Sequence, residues 1–172
     1  MKGSLGEAGE RRAVAAGTGT AIDRPFPSVL GHALSGEVVR LPDDVAGRPV
    51  VLLVAYRRAA QLDIDRWLKA LRRAAPQVEA YEVPTIPSPV YRPLAGWIDA
   101  GMRSGVPREQ WRSVVTVYGD GAVVRGFLGE APRPVAHVVL LDDAGVVRWL
   151  DARGFSEAGL QGLLEALRER LS

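Results

Sequence analysis

Cysteine is absent from this chain of 172 residues. The thiolate is the nucleophile in disulfide exchange and in thiol-dependent peroxide reduction, so its absence excludes the enzyme classes that work through a cysteine. Because neither a disulfide nor a free thiol is present, cysteine usage leaves the cellular compartment open. Histidine is also scarce: His32 and His137 are the only two, too few and too far apart in sequence for an ordinary zinc site. We therefore expect no metal and no cofactor.

Long apolar runs are missing as well. No stretch approaches the roughly 18 apolar residues of a membrane span, and residues 1–23 contain no continuous apolar segment of the secretory type. We therefore expect a cytoplasmic protein without a transmembrane segment. The net charge of +2 is too small to predict nucleic-acid binding. Small and polar residues dominate the start of the chain, which predicts a flexible tail over 1–24 and a single domain over 25–172.

The clearest structural signal is the run Val50–Ala55, which is apolar at every position. Such a run is typical of a central strand covered on both faces. An amphipathic helix follows, with one apolar stripe, and it ends before Pro76; the stripe is formed by Ala60, Ile64, Trp67, Leu68 and Leu71. Asp63 and Asp65 lie near its start, where carboxylates suit the helix dipole. Residues 78–83 alternate and predict the next strand.

The remaining segments predict shorter elements. Residues 26–31 are expected to form an initial loop, and residues 36–41 a short exposed strand. A weak helix is expected from Pro93, using Leu94, Trp97, Ile98 and Met102. Residues 114–118 predict a strand, whereas residues 122–128 fit either a strand or a short helix.

The last third predicts a β-hairpin followed by a helix. Residues 135–141 and 146–149 form the two strands, joined by the turn Asp142-Asp143-Ala144-Gly145. Ser156 is suited to cap a terminal helix lined by leucines. The whole order predicts an α/β domain in three layers, a mixed central sheet with helices on both faces.

Two stretches resemble known families. Phe26-Pro27 to Leu41-Pro42, followed by Gly47-Arg48-Pro49-Val50-Val51-Leu52, is similar to the opening of peroxiredoxins and of membrane-anchored thiol-disulfide reductases. Residues 138–149 (VVLLDDAGVVRW) resemble the corresponding hairpin of the mitochondrial ATP synthase assembly factor family, and residues 154–164 fit that family too. Both resemblances imply a thioredoxin-like fold for residues 26–170.

The resemblance also implies where the reactive groups of these families would lie. Their two thiols correspond to Ala60 and Asp63, within Tyr56-Arg57-Arg58-Ala59-Ala60-Gln61-Leu62-Asp63. The position that faces the thiol, a cis-proline or an arginine in these families, corresponds to Ala136, with His137 next. Peroxidase and disulfide reductase activity are therefore expected to be absent.

Other residues could serve binding at the vacated site. Arg57, Arg58 and Arg66 could hold an anion or an acidic partner near a helix N-terminus, or form a solvated charged face. His137 could be a general base or a hydrogen-bonded histidine at the cleft. Trp111 and Trp149 could be exposed anchors for a partner, whereas Trp67 and Trp97 are expected to pack.

Two functional hypotheses follow. The first is a non-redox protein-binding role, which the resemblance extends to a chaperone-like assembly factor in peripheral contact with a membrane complex such as ATP synthase. The arginine-rich, lysine-poor composition indicates a bacterial relative. The predicted binding residues are Tyr56, Arg57, Arg58, Asp63, His137, Arg148 and Trp149. The alternative is a cleft that performs other chemistry through His137 with Asp63 or an arginine, or that binds an anion or small molecule.

Overall fold

A seven-stranded mixed sheet forms the centre of the computed structural model, which describes residues 21–86 and 101–171. The strand order is β2-β1-β5-β4-β3-β6-β7. β3, β4 and β5 are parallel to one another, and the other neighbours are antiparallel. The strands are β1 (Val29–Ala33), β2 (Val38–Leu41), β3 (Val50–Ala55), β4 (Glu79–Ile86), β5 (Val115–Tyr118), β6 (His137–Leu141) and β7 (Val147–Asp151).

β3 lies between β4 and β6, and all six of its residues are buried. The prediction of a central strand over Val50–Ala55 is therefore confirmed. Its side chains alternate between two apolar clusters, one on each face of the sheet. Val50, Leu52 and Val54 enter one cluster, and the intervening residues enter the other.

Helices cover both faces. α1 (Gln61–Ala74) and α3 (Glu157–Leu171) pack on one face, and α2 (Gly121–Leu128) packs on the other. Trp67 of α1 is buried, as the apolar stripe predicted. The predicted three-layer α/β architecture is confirmed. Three short 3-10 helices lie in the described connections, at Asp43–Val45, Arg58–Ala60 and Arg108–Ser113.

Two local predictions need correction or completion. Residues 26–31 were expected to be a loop, but Val29 to Gly31 belong to β1, which pairs with both β2 and β5. β5 is more than eighty residues away in sequence, so no local pattern signals this pairing. Residues 122–128, open between strand and helix, lie within α2. The helix predicted from Pro93 falls on residues outside the described ranges, except that residues 101–103 are helical.

The first described residues are tied to the sheet. Ala21 is buried, the Asp23 N–H donates to the Val147 carbonyl at 2.8 Å, and the Val147 N–H donates to the Arg24 carbonyl at 3.0 Å. Residues 21–24, expected to belong to the tail, therefore pair with β7.

Ser156 caps α3 as predicted, because its Oγ accepts the Gly159 N–H at 3.0 Å. None of the helices that the structure describes is long and apolar enough to cross a membrane.

Candidate functional site

The candidate site lies at the carboxyl end of β3. The chain leaves β3 at Ala55 and passes through Tyr56 and Arg57 before the 3-10 segment that leads into α1. β6 is antiparallel to β3 and starts at His137, opposite Val54, so the segment before β6 meets the segment after β3. The two segments enclose a pocket of about 20 Å³ lined by Tyr56, Arg57, Ala60, Glu130, Ala131, Arg133, Pro134 and Val135.

Tyr56 and His137 form the inner part of this site. Their ring centroids are 5.0 Å apart, and His137 is 0% exposed. Within the described part of the chain, the buried Tyr56 hydroxyl has no partner at hydrogen-bond geometry, whereas the His137 imidazole lies close to the Gly129 backbone. Burial lowers the pKa of His137 to about 4, against the opposing influence of Glu130 and the Gly129 backbone. Burial likewise raises the pKa of Tyr56, so both side chains are neutral at pH 7.

An ion pair closes one side of the site. Arg125 on α2 donates two hydrogen bonds to Glu130, one of them from Nη2 to Oε2 at 2.9 Å. The Arg125 guanidinium lies 5.2 Å from the Tyr56 ring centroid, within the range of a cation–π contact. The hydrogen bond from Arg125 lowers the pKa of Glu130. The pair therefore keeps a fixed carboxylate beside Tyr56.

Asp63 has a different role from the one expected of it. It is 9% exposed, and its carboxylate accepts the Ala136 N–H at 3.0 Å and the Phe155 N–H at 2.7 Å. The dipole of α1 does not account for these contacts, which join the helix start to the loop before β6 at Ala136 and to the segment between β7 and α3 at Phe155. Asp63 therefore positions the wall of the pocket.

The structure does not bring Asp63 and His137 together. Ala136 and Val138 face the α1 side of the sheet, whereas His137, one residue along a strand, faces the side of Tyr56 and α2. Both carboxylate oxygens of Asp63 are already engaged by backbone N–H groups. An acid–base pair of these two side chains is therefore excluded.

The rim of the site is cationic and partly apolar. Arg57 and Arg58 are exposed, and neither forms an ion pair among the described residues. Leu62, in the first turn of α1, is 73% exposed. Arg133 is held in place by donating to the Arg153 carbonyl at 2.8 Å. The rim thus combines guanidinium groups with a large apolar side chain.

Arg148 and Trp149 lie away from this site. The neighbouring Val147 pairs with Leu141, which pairs with Val50 at the start of β3. Arg148 donates to Asp142 at 2.7 Å and to Asp23 at 2.9 Å.

Trp149 packs edge-on against Trp67, with centroids 6.1 Å apart, and lies against Gly162. Arg148 is thus engaged in ion pairs, and Trp149 in aromatic packing, toward the opposite end of the sheet.

Sequence reasoning missed Arg125, Glu130 and Arg133. Gly129 ends α2 with a φ of 80°, which turns the chain so that Glu130 reaches back to Arg125. The only sequence signal was that glycine, which does not by itself indicate an ion pair. Among the residues that the structure describes, no group of three or more metal-ligating side chains could hold an ion.

Comparison with known proteins identifies the fold of this chain but assigns it no activity. No protein-family model and no curated protein matches the chain. Solved structures do match, among them the thioredoxin domain of a thiol-disulfide oxidoreductase from Bacteroides vulgatus, at 18% identity and a TM-score of 0.56, covering 84% of this chain and 96% of that one. The pneumococcal exposed lipoprotein thioredoxin matches at 14% identity and 0.56, covering 83% and 99%. Copper-bound ScoI of Arabidopsis thaliana matches at 9% identity and 0.59, covering 85% and 99%.

These likenesses confirm the predicted thioredoxin-like fold. At such low identity they establish nothing finer, and no comparison confirms the resemblance to the ATP synthase assembly factor family. The chain carries none of the thiols on which the disulfide chemistry of the oxidoreductase neighbours depends.

Proposed function

We propose that this protein acts by binding a protein partner at the end of β3, without thiol chemistry. The observation that carries the proposal is the rim itself: just before the position that corresponds to the first thiol, the chain presents Arg57 and Arg58, which form no ion pair with any residue that the structure describes, and the exposed Leu62 follows in α1. Arginine is enriched at the centre of protein interfaces because its planar group forms several hydrogen bonds at once and packs on apolar surface.

The partner's contacting segment is expected to be acidic. Glu130 is paired with Arg125, and Arg57 forms no ion pair with any described residue, so the Arg57 guanidinium can donate to a carboxylate of the partner. The Asp63 clamp holds the loop before β6 in a fixed position. A preformed surface loses less conformational entropy when it binds.

The finer proposal is an assembly role. The resemblance of residues 138–149 to the ATP synthase assembly factor family supports a chaperone-like protein that contacts an unassembled subunit of a membrane complex. It would do so in the cytoplasm of a bacterial cell, in peripheral contact with that complex. ScoI, a neighbour in fold, is known with copper bound, whereas the present proposal involves no metal.

Site-specific photo-crosslinking tests the binding surface. A benzophenone amino acid replaces Leu62, and the control places it at exposed Lys69, on the same helix face about 10 Å further along α1. We expect a discrete protein adduct from position 62 in native cells, and not from position 69. The double change Arg57→Glu and Arg58→Glu should reduce the adduct, whereas Arg66→Glu with Arg73→Glu should not. Equal adducts from both positions, or insensitivity to the first pair of changes, would refute the proposal.

A second candidate function is binding of a small anion. It is favoured by Arg57 and Arg133, which line the same pocket. A ligand that binds the folded state raises the unfolding temperature. A thermal-shift series with phosphate and citrate therefore tests it: an increase that Arg57→Ala abolishes supports anion binding, and a flat response across the series eliminates it.

A further inference from the structure

A second cavity, of about 140 Å³, lies between α1, β4 and the segment that precedes β5. It shares no lining residue with the small pocket at the end of β3. A cavity of about 150 Å³ holds a molecule the size of benzene, so this one is large enough for a ligand of about six non-hydrogen atoms. Apolar cavities that carry a few polar groups are the usual binding sites for small molecules.

The walls of this cavity are mainly apolar. Leu68 and Leu71 belong to α1, and Ala80 belongs to β4. Val114, directly before β5, completes the apolar lining opposite α1. Leu71 and Val114 are buried, whereas Leu68 and Ala80 are only partly buried at the edge of the apolar cluster on this face of the sheet. Apolar surface therefore remains for a ligand to cover, and its removal from water favours binding.

Glu82 lies at the end of the cavity nearest the start of α1. Its side chain faces α1, because the next residue, Val83, enters the apolar cluster on the opposite face of the sheet. Burial raises the pKa of Glu82, a hydrogen bond from the Gln61 side chain opposes that rise, and the like charge of Asp65 adds to it. Glu82 forms no ion pair with any residue that the structure describes. Its carboxylate is thus partly desolvated and has no described cation beside it.

Arg72 gives the other end of the cavity the opposite charge. It lies two turns beyond Asp65 on α1, a distance of about 10 Å along the helix axis. The Arg72 side chain is exposed and forms no ion pair with any described residue. A cation is therefore attracted to the Glu82 end and repelled from the Arg72 end. This arrangement suits an elongated ligand with one positive group and an apolar remainder.

We propose that this cavity binds a small primary monoamine, with its ammonium group on Glu82 and its apolar body between α1 and β4. An ammonium has three N–H donors, and it supplies the charge that the carboxylate lacks. A charge-assisted hydrogen bond of this kind is about twice as strong as a neutral one. A second ammonium at the far end of the ligand would meet Arg72. The amine site shares no residue with the rim formed by Arg57, Arg58 and Leu62, so it does not depend on the binding of a protein there.

Four small probes separate the effect of charge from that of shape. Isoamylamine is the expected ligand, isoamyl alcohol is its neutral analogue, isovalerate is its anionic analogue, and cadaverine adds a second ammonium. Titration of the ¹⁵N-labelled protein at about pH 7 keeps the amines protonated and lies well above the ordinary pKa of a carboxyl group. We expect saturable amide shifts with isoamylamine, about tenfold weaker binding of the alcohol, weaker binding of cadaverine, and none of isovalerate.

The position of the shifts tests the site itself. Ala80 and Ser113 line the cavity on two different elements, so their amides should shift together when isoamylamine is added. Ala144, in the turn between β6 and β7, is the internal control and should not shift. Shifts that leave out Ala80 and Ser113 would contradict the assigned site.

Three variants test the two parts of the site. Glu82→Gln removes the charge and keeps the size of the side chain; it should weaken isoamylamine binding about tenfold and leave isoamyl alcohol binding unchanged. Glu165→Gln, exposed on α3, makes the same change of net charge outside the cavity and should alter neither. Ala80→Ile fills the cavity and should abolish the binding of both ligands.

The inference is overturned if isoamylamine gives no saturable shift, if isoamyl alcohol or cadaverine binds as tightly as isoamylamine, or if Glu82→Gln leaves amine binding unchanged. Circular dichroism establishes whether Ala80→Ile is folded, and a folded Ala80→Ile variant that still binds isoamylamine overturns the inference as well. If that variant does not fold, Glu82→Gln and the shifts at Ala80 and Ser113 decide the matter alone.

Discussion

Removal of the Asp63 carboxylate is expected to destabilise the domain strongly. In the native fold this side chain is 9% exposed and accepts two backbone N–H groups, from Ala136 at 3.0 Å and from Phe155 at 2.7 Å. Neither donor has another acceptor among the described residues. Asp63→Ala would leave both N–H groups unpaired at a site from which water is largely excluded.

The magnitude follows from these two bonds. A hydrogen bond to a charged acceptor contributes about 1.5–3 kcal/mol, so loss of both bonds in Asp63→Ala should lower the free energy of unfolding by about 3–6 kcal/mol. In a domain of this size that corresponds to a decrease in Tm of roughly 10 °C. Asp63→Asn keeps one acceptor oxygen and should lose roughly half as much.

Urea denaturation followed by tryptophan fluorescence measures this loss. Buried Trp67 lies one turn further along α1 and reports on the same region. Asp65→Ala is the matched control, because Asp65 is exposed and, among the residues that the structure describes, accepts a single hydrogen bond, from the Gln61 side chain at 3.2 Å. It should change stability by less than about 0.5 kcal/mol.

Amide hydrogen exchange supplies the local readout. Ala136 and Phe155 should lose protection in both Asp63 variants and keep it in Asp65→Ala, because only Asp63 accepts their N–H groups. If Asp63→Ala costs no more than Asp65→Ala, or if these two amides stay protected, the clamp does not position the loop before β6.

Three further predictions concern stability. Burial lowers the pKa of His137 from 6.5 to about 4, so the unfolded chain takes up a proton on this histidine before the folded protein does. The free energy of unfolding should therefore be highest above pH 6.5 and fall by up to about 3 kcal/mol as the pH decreases toward 4, as measured by urea denaturation. His137→Leu should remove this pH dependence, and His32→Gln should not. Trp149→Ala should lower the free energy of unfolding by about 2 kcal/mol in chemical denaturation, because the Trp149 ring packs on α1 and α3. An unchanged stability would instead support the prediction that Trp149 is an exposed anchor for a partner. Gly145→Ala should lower Tm in calorimetry, because its φ is +76° and the new Cβ would lie 2.7 Å from Pro42 Cγ, whereas Gly126→Ala, in open space on α2, should raise Tm slightly.

Local patterns were sufficient for the elements that depend on neighbouring residues. The apolar run of β3, the Asp142 turn and the Ser156 cap all follow from side chains within a few positions of one another. In the turn, Asp142 Oδ1 accepts the Ala144 and Val146 N–H groups at 3.0 and 2.9 Å. Chemistry of this kind is encoded by spacing alone, so the sequence predicted it.

The partners of the site residues depend on distant parts of the chain. Asp63 and Ala136 are 73 positions apart, and Arg148 and Asp23 are 125 apart. Sequence reasoning suggested a helix-dipole role for Asp63, a binding role for Arg148 and an exposed anchor at Trp149. It carried no information about which side chains the sheet would bring into contact.

The sequence by itself determined that this protein has no thiol and that an apolar strand forms its centre, because both depend only on which residues are present and in what order. The tertiary structure decided which residues share a site. Antiparallel pairing of β6 with β3 brings His137 beside Tyr56, and alternation along β6 directs Ala136 and His137 to opposite faces, so Asp63 holds the backbone on one side while the imidazole packs against Tyr56 on the other.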